Sequence, residues 1–489
     1  MDFIEKAVAE SAAQGQKIIT RYPPEPNGYM HIGHAKAFYI DWHLAKKYGG
    51  FTNLRFDDTN PEKEDMEYVD AMKQDITWLG LDYEQVLFAS DYYEQLYKMA
   101  QVLINKGLAY VDFSTPEQIK KDRGGLGIKG KDSPYRNTDV KTNLAEFKNM
   151  RDGKYPDGHC VLRAKIDMSS GNMNMRDPVI YRILRVPHYR TGDAWIIYPL
   201  YDFAHPLSDA IENISHSICS LEYEDHRPLY DWFIEHAWEG KSRPRQFEFS
   251  RLNIEQTVMS KRFLKKLVED GVVDGWDDPR MPTISGMRRR GYPPVAVLDF
   301  VASTGVSKNP MTVPLSALEF YIRAHLDKAA PRLSVVFDPI KIKVGKKEFY
   351  IEKDDFSKSP PPGFKRLTPG GVVRLRELVN VKCVGVHEDY LECVETEERQ
   401  RGVIHWVDVS TAVPVTVNEF KPLLFTGTAL ADDNINHNSK KTTTAFAEPK
   451  ILDTKETFQA IRKGFYIRDA KEKGERITLL KTVDLKSGF

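Results

Sequence analysis

The amino-acid sequence predicts an α/β core followed by a C-terminal region of antiparallel β-structure. A strand, a loop, a helix and a second strand succeed one another within residues 17–56, which is typical of a βαβ unit on a parallel sheet. After about residue 333, β-branched residues alternate with polar ones between turn clusters, which predicts antiparallel barrels. The 489 residues are too many for one hydrophobic core, so roughly three or four domains are expected.

The βαβ unit is predicted from four successive segments. Residues 17–21 read as a short strand, and the proline- and glycine-rich stretch 23–28 is excluded from a helix interior or a central strand. Residues 32–48 place apolar side chains on one helical face, and residues 53–56 form the next strand. Because ligands bind beyond the carboxyl ends of such strands, a site is expected where this loop, the helix start and Asp57 meet.

Changes in composition distinguish five regions along the chain. Residues 120–131 are rich in glycine and lysine and interrupt the α/β pattern, and strand-like sequence returns near residues 194–200 and 246–249. The polar stretch 434–444 is predicted to be a mobile loop. The predicted regions are 1–100 and 191–262 for the two halves of the parallel-sheet domain, 101–190 for an inserted domain, 263–328 for a helical subdomain and 329–489 for two β-barrels.

Charge and composition exclude several classes of protein. Lysine plus arginine and aspartate plus glutamate each number 70, so bulk charge does not hold the chain to nucleic acid, although local basic patches can. No apolar run is long enough to cross a bilayer, and the first residues lack the pattern of a signal peptide. The 4 scattered cysteines predict free thiols, with neither disulfides nor a protein-held metal, which favours a cytoplasmic protein.

The first candidate site is the sequence His31-Ile32-Gly33-His34. It coincides with the predicted start of a helix, where unpaired N–H groups and the positive end of the dipole favour phosphate. The two imidazoles can donate hydrogen bonds to phosphate oxygens, and Gly33 lets a nucleotide approach the backbone. Two surface histidines without a role are the alternative interpretation.

The second candidate site is Val258-Met259-Ser260-Lys261-Arg262. A lysine on a flexible loop can swing over a triphosphate and offset the charge that builds on a leaving pyrophosphate. For this segment alone, a solvated basic turn is the simpler interpretation. Together, the two motifs resemble the HIGH and KMSKS sequences of class I aminoacyl-tRNA synthetases, although the first lysine of the second motif is absent and only Lys261 is retained.

The resemblance narrows to the glutaminyl-tRNA synthetases and their glutamyl relatives, and it covers nearly the whole chain. It is carried by residues 21–30, 54–61, 198–205 and 275–283 and, more loosely, by residues 402–407. It implies a Rossmann-type catalytic domain with an inserted acceptor-stem domain, a helical subdomain and anticodon-binding β-barrels. It also implies that ATP, carried with Mg²⁺, contacts residues around both motifs. These residues are Glu25, Pro26, Asn27, His31, Gly33, His34, Lys36, Ser220, Arg251, Leu252, Met259, Ser260 and Lys261.

Selection between glutamine and glutamate is predicted from charge. A pocket for glutamate is expected to carry a cation and a pocket for glutamine should lack one, because an unpaired buried carboxylate costs several kcal/mol. In the glutamyl enzymes an arginine follows the pattern His-x-hydrophobic. Here that pattern is His216-Ser217-Ile218, and the next residue is Cys219, which resembles the glutaminyl group. A small buried hydrophobe is the other interpretation of Cys219, and it is compatible with a neutral wall.

By the same resemblance, the side chains of six residues form the amino-acid pocket. Asp57 is expected to pair with the substrate α-ammonium, and Tyr201 is expected to offer its hydroxyl group. The alternatives are that Asp57 caps a helix and that Tyr201 is a core residue. The expected pocket residues are Arg21, Asp57, Tyr201, His205, Cys219 and Gln246.

For tRNA, the resemblance implies that the inserted domain grips the acceptor stem and that the barrels read the anticodon. Asp225 is the candidate for accepting a hydrogen bond from an exocyclic amine of a base pair. A surface carboxylate paired with His226 or Arg227 is its alternative. The anticodon candidates, each of which could equally be a solvated strand residue, are Arg374, Arg376, Gln400 and Arg401.

The expected reaction has two steps and needs no protein nucleophile. The glutamine carboxylate attacks the α-phosphorus of ATP, and the 2′-hydroxyl of the terminal adenosine of tRNA(Gln) then attacks the acyl carbonyl. His31, His34 and Lys261 would act by alignment and charge stabilisation. The expected partners are tRNA(Gln), L-glutamine and ATP, with no membrane, and the protein is expected to be a monomer.

Three other functions are compatible with parts of the sequence. A glutamyl-tRNA synthetase of the archaeal and eukaryotic type shares the architecture, but Cys219 argues against it. A small-molecule nucleotidyltransferase with an HxGH site is disfavoured by the Met259-Ser260-Lys261 segment and by the long β-rich C-terminal region. A non-catalytic RNA-binding paralogue is disfavoured because both histidines and Lys261 are retained.

Overall fold

The structure, a computed structural model, describes residues 1–471 and 476–486. The first compact unit comprises Met1–Leu252 and Val301–Met311, and the second comprises Asn253–Phe300 and Thr312–Phe489. The predicted boundaries at residues 100, 190, 262 and 328 stay predictions. No helix within the described ranges is long and apolar enough to cross a membrane.

Helices and strands alternate in the first part of the chain. The helices are α1 Phe3–Ala13, α2 Ile32–Lys47, α3 Met66–Leu79, α4 Tyr93–Asn105, α5 Pro116–Arg123, α6 Val140–Arg151, α7 Tyr201–Ile211 and α8 Arg227–Ala237. The strands are β1 Ile19–Tyr22, β2 Phe51–Phe56, β3 Val86–Phe88, β4 Ala109–Asp112, β5 Val161–Ala164, β6 Val179–Ile183, β7 Ile197–Pro199, β8 His216–Ser220 and β9 Arg245–Phe249. Short 3₁₀ helices lie at Ala89–Tyr92, Met173–Met175 and Leu221–His226.

The predicted βαβ unit is confirmed. Strands β1, β2 and β3 form a parallel sheet in which Ile19 lies opposite Phe51 and Leu54 opposite Val86. Strands β8 and β9 are also parallel, and the Ser215 amide donates to the Ile19 carbonyl at 2.8 Å, which joins β8 to β1. The carboxyl ends of β1, β2 and β8 therefore lie at one edge of the sheet, where ligands bind in such folds.

Local sequence sets where α3 begins and ends. The Asp65 carboxylate accepts the Glu67 amide at 2.8 Å and caps the N-terminus, while Gly80 ends the helix in the left-handed conformation with φ +76°. Asp65, not Asp57, is thus the cap of the helix that follows β2. The capping interpretation of Asp57 is therefore wrong.

Two of the apolar clusters in the first unit pack its helices on its sheets. One packs α1 and α2 on the parallel strands through Ile4, Val8, Ile40, Leu44, Ile218 and Phe249. Each such side chain contributes roughly 1.5–3 kcal/mol when it is fully buried. The other cluster lies between helices and the antiparallel sheet β4-β5-β6-β7, so residues 109–199 carry a sheet of their own.

The second part of the chain is first helical and then β-rich. Its helices are α9 Lys261–Glu269, α10 Ile284–Arg289, α11 Pro294–Ser303 and α12 Leu315–Ala329, with short strands β10 Leu252–Ile254 and β11 Met311–Val313. The strands β12 to β18 are Arg332–Leu333, Val335–Val336, Pro339–Val344, Lys347–Glu352, Val372–Leu375, Asn380–Val386 and Tyr390–Glu395. The strands β19 to β25 are Val403–Ile404, Val407–Asp408, Val413–Phe420, Lys440–Ala447, Phe458–Ala460, Gly464–Arg468 and Ile477–Val483. Further 3₁₀ turns lie at Lys353–Asp355, Asp432–Asn434 and Pro449–Leu452.

Two seven-stranded sheets confirm the predicted β-rich C-terminal region. Their strand orders are β12-β23-β24-β25-β21-β22-β13 and β19-β16-β17-β18-β14-β15-β20. Most pairs are antiparallel, but β12–β23, β14–β18, β16–β19 and β21–β25 are parallel. The prediction of a mobile loop over residues 434–444 is wrong at its end, because Lys440–Ala447 forms strand β22 and pairs with β21 along its whole length.

Candidate active site

A pair of histidines organises the start of α2. His31 is the N-cap residue: its Nδ1 atom accepts the Gly33 amide at 3.1 Å, and His34 Nδ1 accepts the His31 amide at 3.1 Å. The two rings stack with centroids 3.8 Å apart. Because both Nδ1 atoms accept hydrogen bonds, the neutral rings carry their protons on Nε2, which makes Nε2–H a donor. Both histidines therefore build the helix start, while their role toward phosphate stays a prediction.

The proline-rich loop is tied to the edge of the parallel sheet. The Asp57 amide donates to the Pro24 carbonyl at 3.0 Å, and the Asn27 side chain donates to Glu25 Oε2 at 2.6 Å. Lys36 lies one turn into α2 and is 3% exposed, and burial lowers its pKa to about 8. The predicted residues Glu25, Pro26 and Asn27 thus lie in a loop that hydrogen bonds anchor beside Asp57.

Beneath this edge, two arginines and two aspartates form a buried network. Asp209 Oδ1 accepts Arg21 Nε at 3.0 Å and Arg55 Nη1 at 2.7 Å, and its Oδ2 accepts the Tyr230 hydroxyl at 2.8 Å. Arg55 Nε also donates to Asp57 Oδ1 at 2.8 Å. Burial alone would raise the pKa of Asp209, but Arg21, His205 and Arg55 hold it well below its usual value. Arg55 Nη1 also lies 3.3 Å from Glu212 Oε2, so two guanidinium groups meet three buried carboxyl groups.

His205 lies between Asp57 and Cys219. Its Nδ1 atom lies 3.3 Å from Asp57 Oδ2, and its Nε2 atom lies 3.8 Å from Cys219 Sγ and 2.8 Å from Arg21 Nη2. Burial alone would lower the pKa of His205, whereas Asp209 raises it, to about 9. Both ring nitrogens lie near guanidinium donors, because Arg55 Nη2 is also 3.3 Å from Nδ1. The nearby carboxylates of Asp209 and Asp57 favour the protonated ring over this crowding of cations.

A cation lies directly beside Cys219, which corrects the expectation that the pocket wall lacks one. Arg21 Nη2 is 3.5 Å from Cys219 Sγ and 2.6 Å from Ser217 Oγ, and Arg21 is fully buried. Burial alone would raise the pKa of Cys219, but Arg21 and His205 lower it. Because Asp209 already compensates Arg21, the wall is neutral through pairing and not through the absence of charge.

Tyrosine and glutamine side chains complete this region. Tyr201 stacks on His205 with ring centroids 4.9 Å apart, and its ring centroid lies 5.0 Å from that of Tyr223. Tyr201 is half-buried, so the core interpretation does not describe it fully. Gln246 Nε2 donates to the Tyr223 carbonyl at 3.1 Å and to Glu248 Oε1 at 3.1 Å. Gln246 is thus held by Tyr223 and lies in register with Ser217 on the neighbouring strand.

A second buried acidic group lies just after β2. Asp58 accepts the amide and the hydroxyl of Ser90 at 2.8 and 2.7 Å, and burial raises its pKa to about 7. Burial also raises the pKa of Glu64, to about 9. Glu64 Oε1 accepts the Asn60 amide at 3.0 Å, and His188 Nε2 lies 3.9 Å from Glu64 Oε2. These contacts tie the segment after β2 to the inserted domain.

The other residues that are predicted to bind ATP lie in two separate segments of the chain. Ser220 ends β8, and its hydroxyl donates to Glu222 Oε1 at 2.9 Å, while Arg251 is exposed. Leu252 is buried and begins β10. Met259 and Ser260 precede α9, and Lys261 is its first residue rather than part of a flexible loop. Cations in a first helical turn are electrostatically unfavourable, and a bound anion would relieve this.

The predicted tRNA contacts lie in two groups. Asp225 is exposed, while His226 pairs with Asp202 at 2.7 Å and Arg227 with Glu248 at 3.1 Å. Asp202 and, after it, Asp225 raise the pKa of His226, so the alternative of a surface carboxylate beside His226 stays open. In the second unit, β16 pairs with β19, and the Arg401 amide donates to the Val372 carbonyl at 2.9 Å. This register brings the four anticodon candidates to one edge of a seven-stranded sheet. They are Arg374, Arg376, Gln400 and Arg401.

Several residues of this region were not predicted from the sequence, among them Arg55, Asp209, Ser217 and Tyr223. A signal exists for two of them. Arg55 stands two residues before Asp57 and therefore faces the same side of β2, and Asp209 stands four residues after His205 and shares its face of α7. Ser217 and Tyr223 have no such signal in the sequence alone.

Three protein-family models match the chain. A model described as tRNA synthetases class I (E and Q), catalytic domain, matches residues 17–328. Two models described as tRNA synthetases class I (E and Q), anti-codon binding domain, match residues 341–398 and 403–469. The fold and the histidine-capped helix at the sheet edge are thus those of a class I tRNA synthetase. The chain belongs to the E and Q family of class I tRNA synthetases.

The chain is also similar to individual proteins over nearly its whole length. Proteins named glutamine–tRNA ligase include one from Clostridium perfringens, 46% identical over 96% of this chain and 95% of that protein. Others are from Clostridium kluyveri, at 44% identity over 100% and 98%, and Neisseria meningitidis, at 45% over 100% and 98%. Among solved structures, a glutamate tRNA ligase from Elizabethkingia meningosepticum aligns with 64% of this chain and 70% of that chain at 19% identity, with a TM-score of 0.47.

Proposed function

We propose that the protein is a glutamine–tRNA ligase, which activates L-glutamine with ATP and transfers it to the 3′-terminal adenosine of tRNA(Gln). The observation that carries the choice of amino acid is the contact between Cys219 and an arginine that Asp209 already neutralises. A glutamate side chain would bring an uncompensated negative charge to this buried wall. Relatives at 44–46% identity with the name glutamine–tRNA ligase support the same choice, and the glutamyl alternative is not favoured.

The start of α2 supports the role proposed for ATP. Nε2–H of His31 and of His34 would donate to phosphate oxygens, and the helix N-terminus and Gly33 would favour a phosphate near the backbone. Glu25, Pro26, Asn27 and Lys36 would line the same cradle, as would Ser220, Arg251 and Leu252. Lys261, with Met259 and Ser260, is proposed to offset the charge of the leaving pyrophosphate, and this role rests on the sequence motif.

The pocket supports a neutral amide in preference to a carboxylate. Asp57 would pair with the α-ammonium of glutamine, and His205 fixes Asp57 from behind with its Nδ1 atom 3.3 Å from Oδ2. The Tyr201 hydroxyl, on a ring packed between His205 and Tyr223, would contact the substrate, and Gln246 and Arg21 would lie toward its side-chain end. The attacking groups are the glutamine carboxylate and then the 2′-hydroxyl of tRNA, so the protein would act by alignment and charge stabilisation.

For tRNA, two regions are proposed as contacts. The inserted domain would grip the acceptor stem, with Asp225 accepting from a base amine, and the C-terminal sheets would read the anticodon. The matches to two anticodon-binding models support the second assignment. A magnesium ion that accompanies the ATP phosphates, a monomeric state and a cytoplasmic location are part of this proposal.

Aminoacylation of separate glutamine and glutamate tRNAs with each amino acid tests the proposal. We expect efficient charging only for glutamine with tRNA(Gln), by a factor of about 10⁴ or more if selectivity matches that of hydrogen-bond-discriminating synthetases. Pyrophosphate exchange with tRNA present distinguishes a defect in activation from one in transfer. Equal charging of glutamate would disprove the choice of substrate, and tRNA binding without exchange would favour the non-catalytic alternative.

A further inference from the structure

Two asparagines of the inserted domain hold the backbone of Asp225. The Asp225 carbonyl oxygen accepts Asn172 Nδ2 at 2.7 Å and Asn174 Nδ2 at 3.2 Å. Asp225 lies near the end of the 3₁₀ helix Leu221–His226, directly before α8. Both lone pairs of this carbonyl are therefore used by side chains from a different segment of the chain.

The local sequence leaves this carbonyl open to such donors. The residue three positions after Asp225 is Pro228, which lacks the N–H group that would close a 3₁₀ turn. Asn172 is itself fixed, because its Oδ1 atom accepts the Asn174 amide at 2.9 Å and caps the short helix Met173–Met175. Both the Oδ1 and the Nδ2 atom of the Asn172 side chain are thus hydrogen-bonded.

The neighbours of Asp225 are anchored to other elements by their side chains. Glu224 accepts Lys308 Nζ at 2.5 Å, and His226 Nδ1 lies 2.7 Å from Asp202 Oδ1. The Asp225 carboxylate, by contrast, is exposed and has no hydrogen bond or ion pair with any residue that the structure describes. A rigid backbone therefore carries a carboxylate whose hydrogen-bonding capacity is unused within the chain.

We propose that Asn172 and Asn174 are positioning residues for recognition of duplex RNA by Asp225. A carboxylate distinguishes base pairs by accepting from an exocyclic amine, and the wide, shallow minor groove of A-form RNA exposes base edges. Such discrimination needs a fixed acceptor, because a carboxylate on a mobile backbone can follow an amine to a different position. The inference rests on the proposed function, in which Asp225 reads the acceptor stem.

The test uses the full-length protein and tRNA(Gln) transcripts in which each acceptor-stem base pair is exchanged in turn. The variant N172S/N174A removes both amide donors but keeps a capping oxygen at residue 172. Asn137→Ala is the matched control, because Asn137 lies in the same inserted domain and accepts only Lys165. Asp225→Ala reports on the proposed role of Asp225 itself. The measured quantity is the ratio of kcat/KM between the unaltered and the exchanged tRNA.

When the recognised base pair is exchanged, we expect kcat/KM to fall about 10- to 100-fold for the unaltered protein and for the Asn137→Ala variant. The same exchange should lower kcat/KM only a few-fold for the N172S/N174A variant, whose KM for ATP should stay unchanged. If Asp225→Ala relaxes discrimination and N172S/N174A does not, the positioning role is wrong and the role of Asp225 stands. If Asp225→Ala leaves every ratio unchanged, the assignment of Asp225 fails, and the positioning role fails with it. Should N172S/N174A unfold at a lower temperature, the single variants Asn172→Ser and Asn174→Ala decide the question, because each removes one donor and keeps a capping oxygen at residue 172. A positioning role predicts the larger loss of discrimination for Asn172→Ser, whose bond is the shorter, and unchanged ratios in both would contradict it.

Discussion

The guanidinium group of Arg21 lies against the thiol of Cys219, with Nη2 3.5 Å from Sγ, in a position fully removed from solvent. A buried cation next to the wall that should reject glutamate would, by itself, attract glutamate. Asp209 prevents this, because its Oδ1 atom accepts both Arg21 and Arg55. The charge of the pocket is therefore set by a residue that sequence motifs do not identify, and substitution of that residue provides a sharp test.

Asp209→Asn should shift the protein toward glutamate. The change removes one negative charge from a pair of buried arginines, which destabilises the fold by about 3–5 kcal/mol and leaves excess positive charge beside Cys219. We expect the preference for glutamine over glutamate in aminoacylation to fall about tenfold or more. Asp70→Asn, which changes an exposed aspartate on α3, is the control and should alter neither quantity. An unchanged preference in a folded Asp209→Asn protein would show that pairing does not set the pocket charge.

The buried carboxyl group of Glu64 should make stability depend on pH. Burial raises its folded pKa to about 9 from 4.5, so the folded state binds an extra proton between these values. The contribution of Glu64 to stability is therefore complete below the unfolded pKa and is lost as pH rises from 4.5 to 9, at about 1.4 kcal/mol per pH unit. Glu64→Gln should flatten this dependence, as measured by chemical denaturation at pH 5.5 and 8.5, although Asp58, with a pKa of about 7, still contributes to it. Glu62→Gln, at an exposed position, should retain the slope of the unaltered protein.

Variants of His34 should separate its structural role from its chemical role. His34→Ala loses the acceptor for the His31 amide, which costs about 1 kcal/mol, and it loses the Nε2–H donor. His34→Gln keeps an acceptor of suitable reach at the third helical position but lacks the ring. Both variants should form adenylate about 100-fold more slowly while still binding tRNA, and only the alanine variant should be less stable. Normal turnover of His34→Gln would remove the phosphate role.

The residue before the Thr257–Lys261 segment is held in a strained conformation. Gln256 has φ +57°, its amide donates to the Gly427 carbonyl at 2.6 Å, and its side chain donates to the Phe425 carbonyl at 3.0 Å. Gln256→Gly relieves the strain, whereas Gln256→Ala keeps the strain and loses the side-chain bond. The glycine variant should therefore be about 1–2 kcal/mol more stable than the alanine variant, and hydrogen exchange at residues 257–264 should be slower in it. The opposite order would mean that the left-handed conformation is not retained in solution.

Features that depend on a local sequence pattern were predicted correctly. The βαβ unit, the helix start at His31 and the position of Asp57 follow from the 3.6- and 2-residue periods and from turn residues, which act over a few positions. The prediction failed at residues 440–444, because polar side chains on an exposed strand face resemble a loop. Cys219 was identified by resemblance together with Arg21 and His205, which do lie against it, but the pairing of Arg21 with Asp209 was not predicted. The partners of Cys219 come from β1 and α7, which are distant in the chain.

The amino-acid sequence by itself determined the class of fold, the two motifs and the residue types of the pocket, because short-range periodicity and motif spacing encode them. Only the tertiary structure decided that Arg21 is neutralised by Asp209, that His205 joins Asp57 to Cys219, and that Asn172 and Asn174 hold Asp225. The reason is physical. The charge state of a buried group depends on the atoms within a few ångströms of it, and those atoms are supplied by segments that only folding brings together.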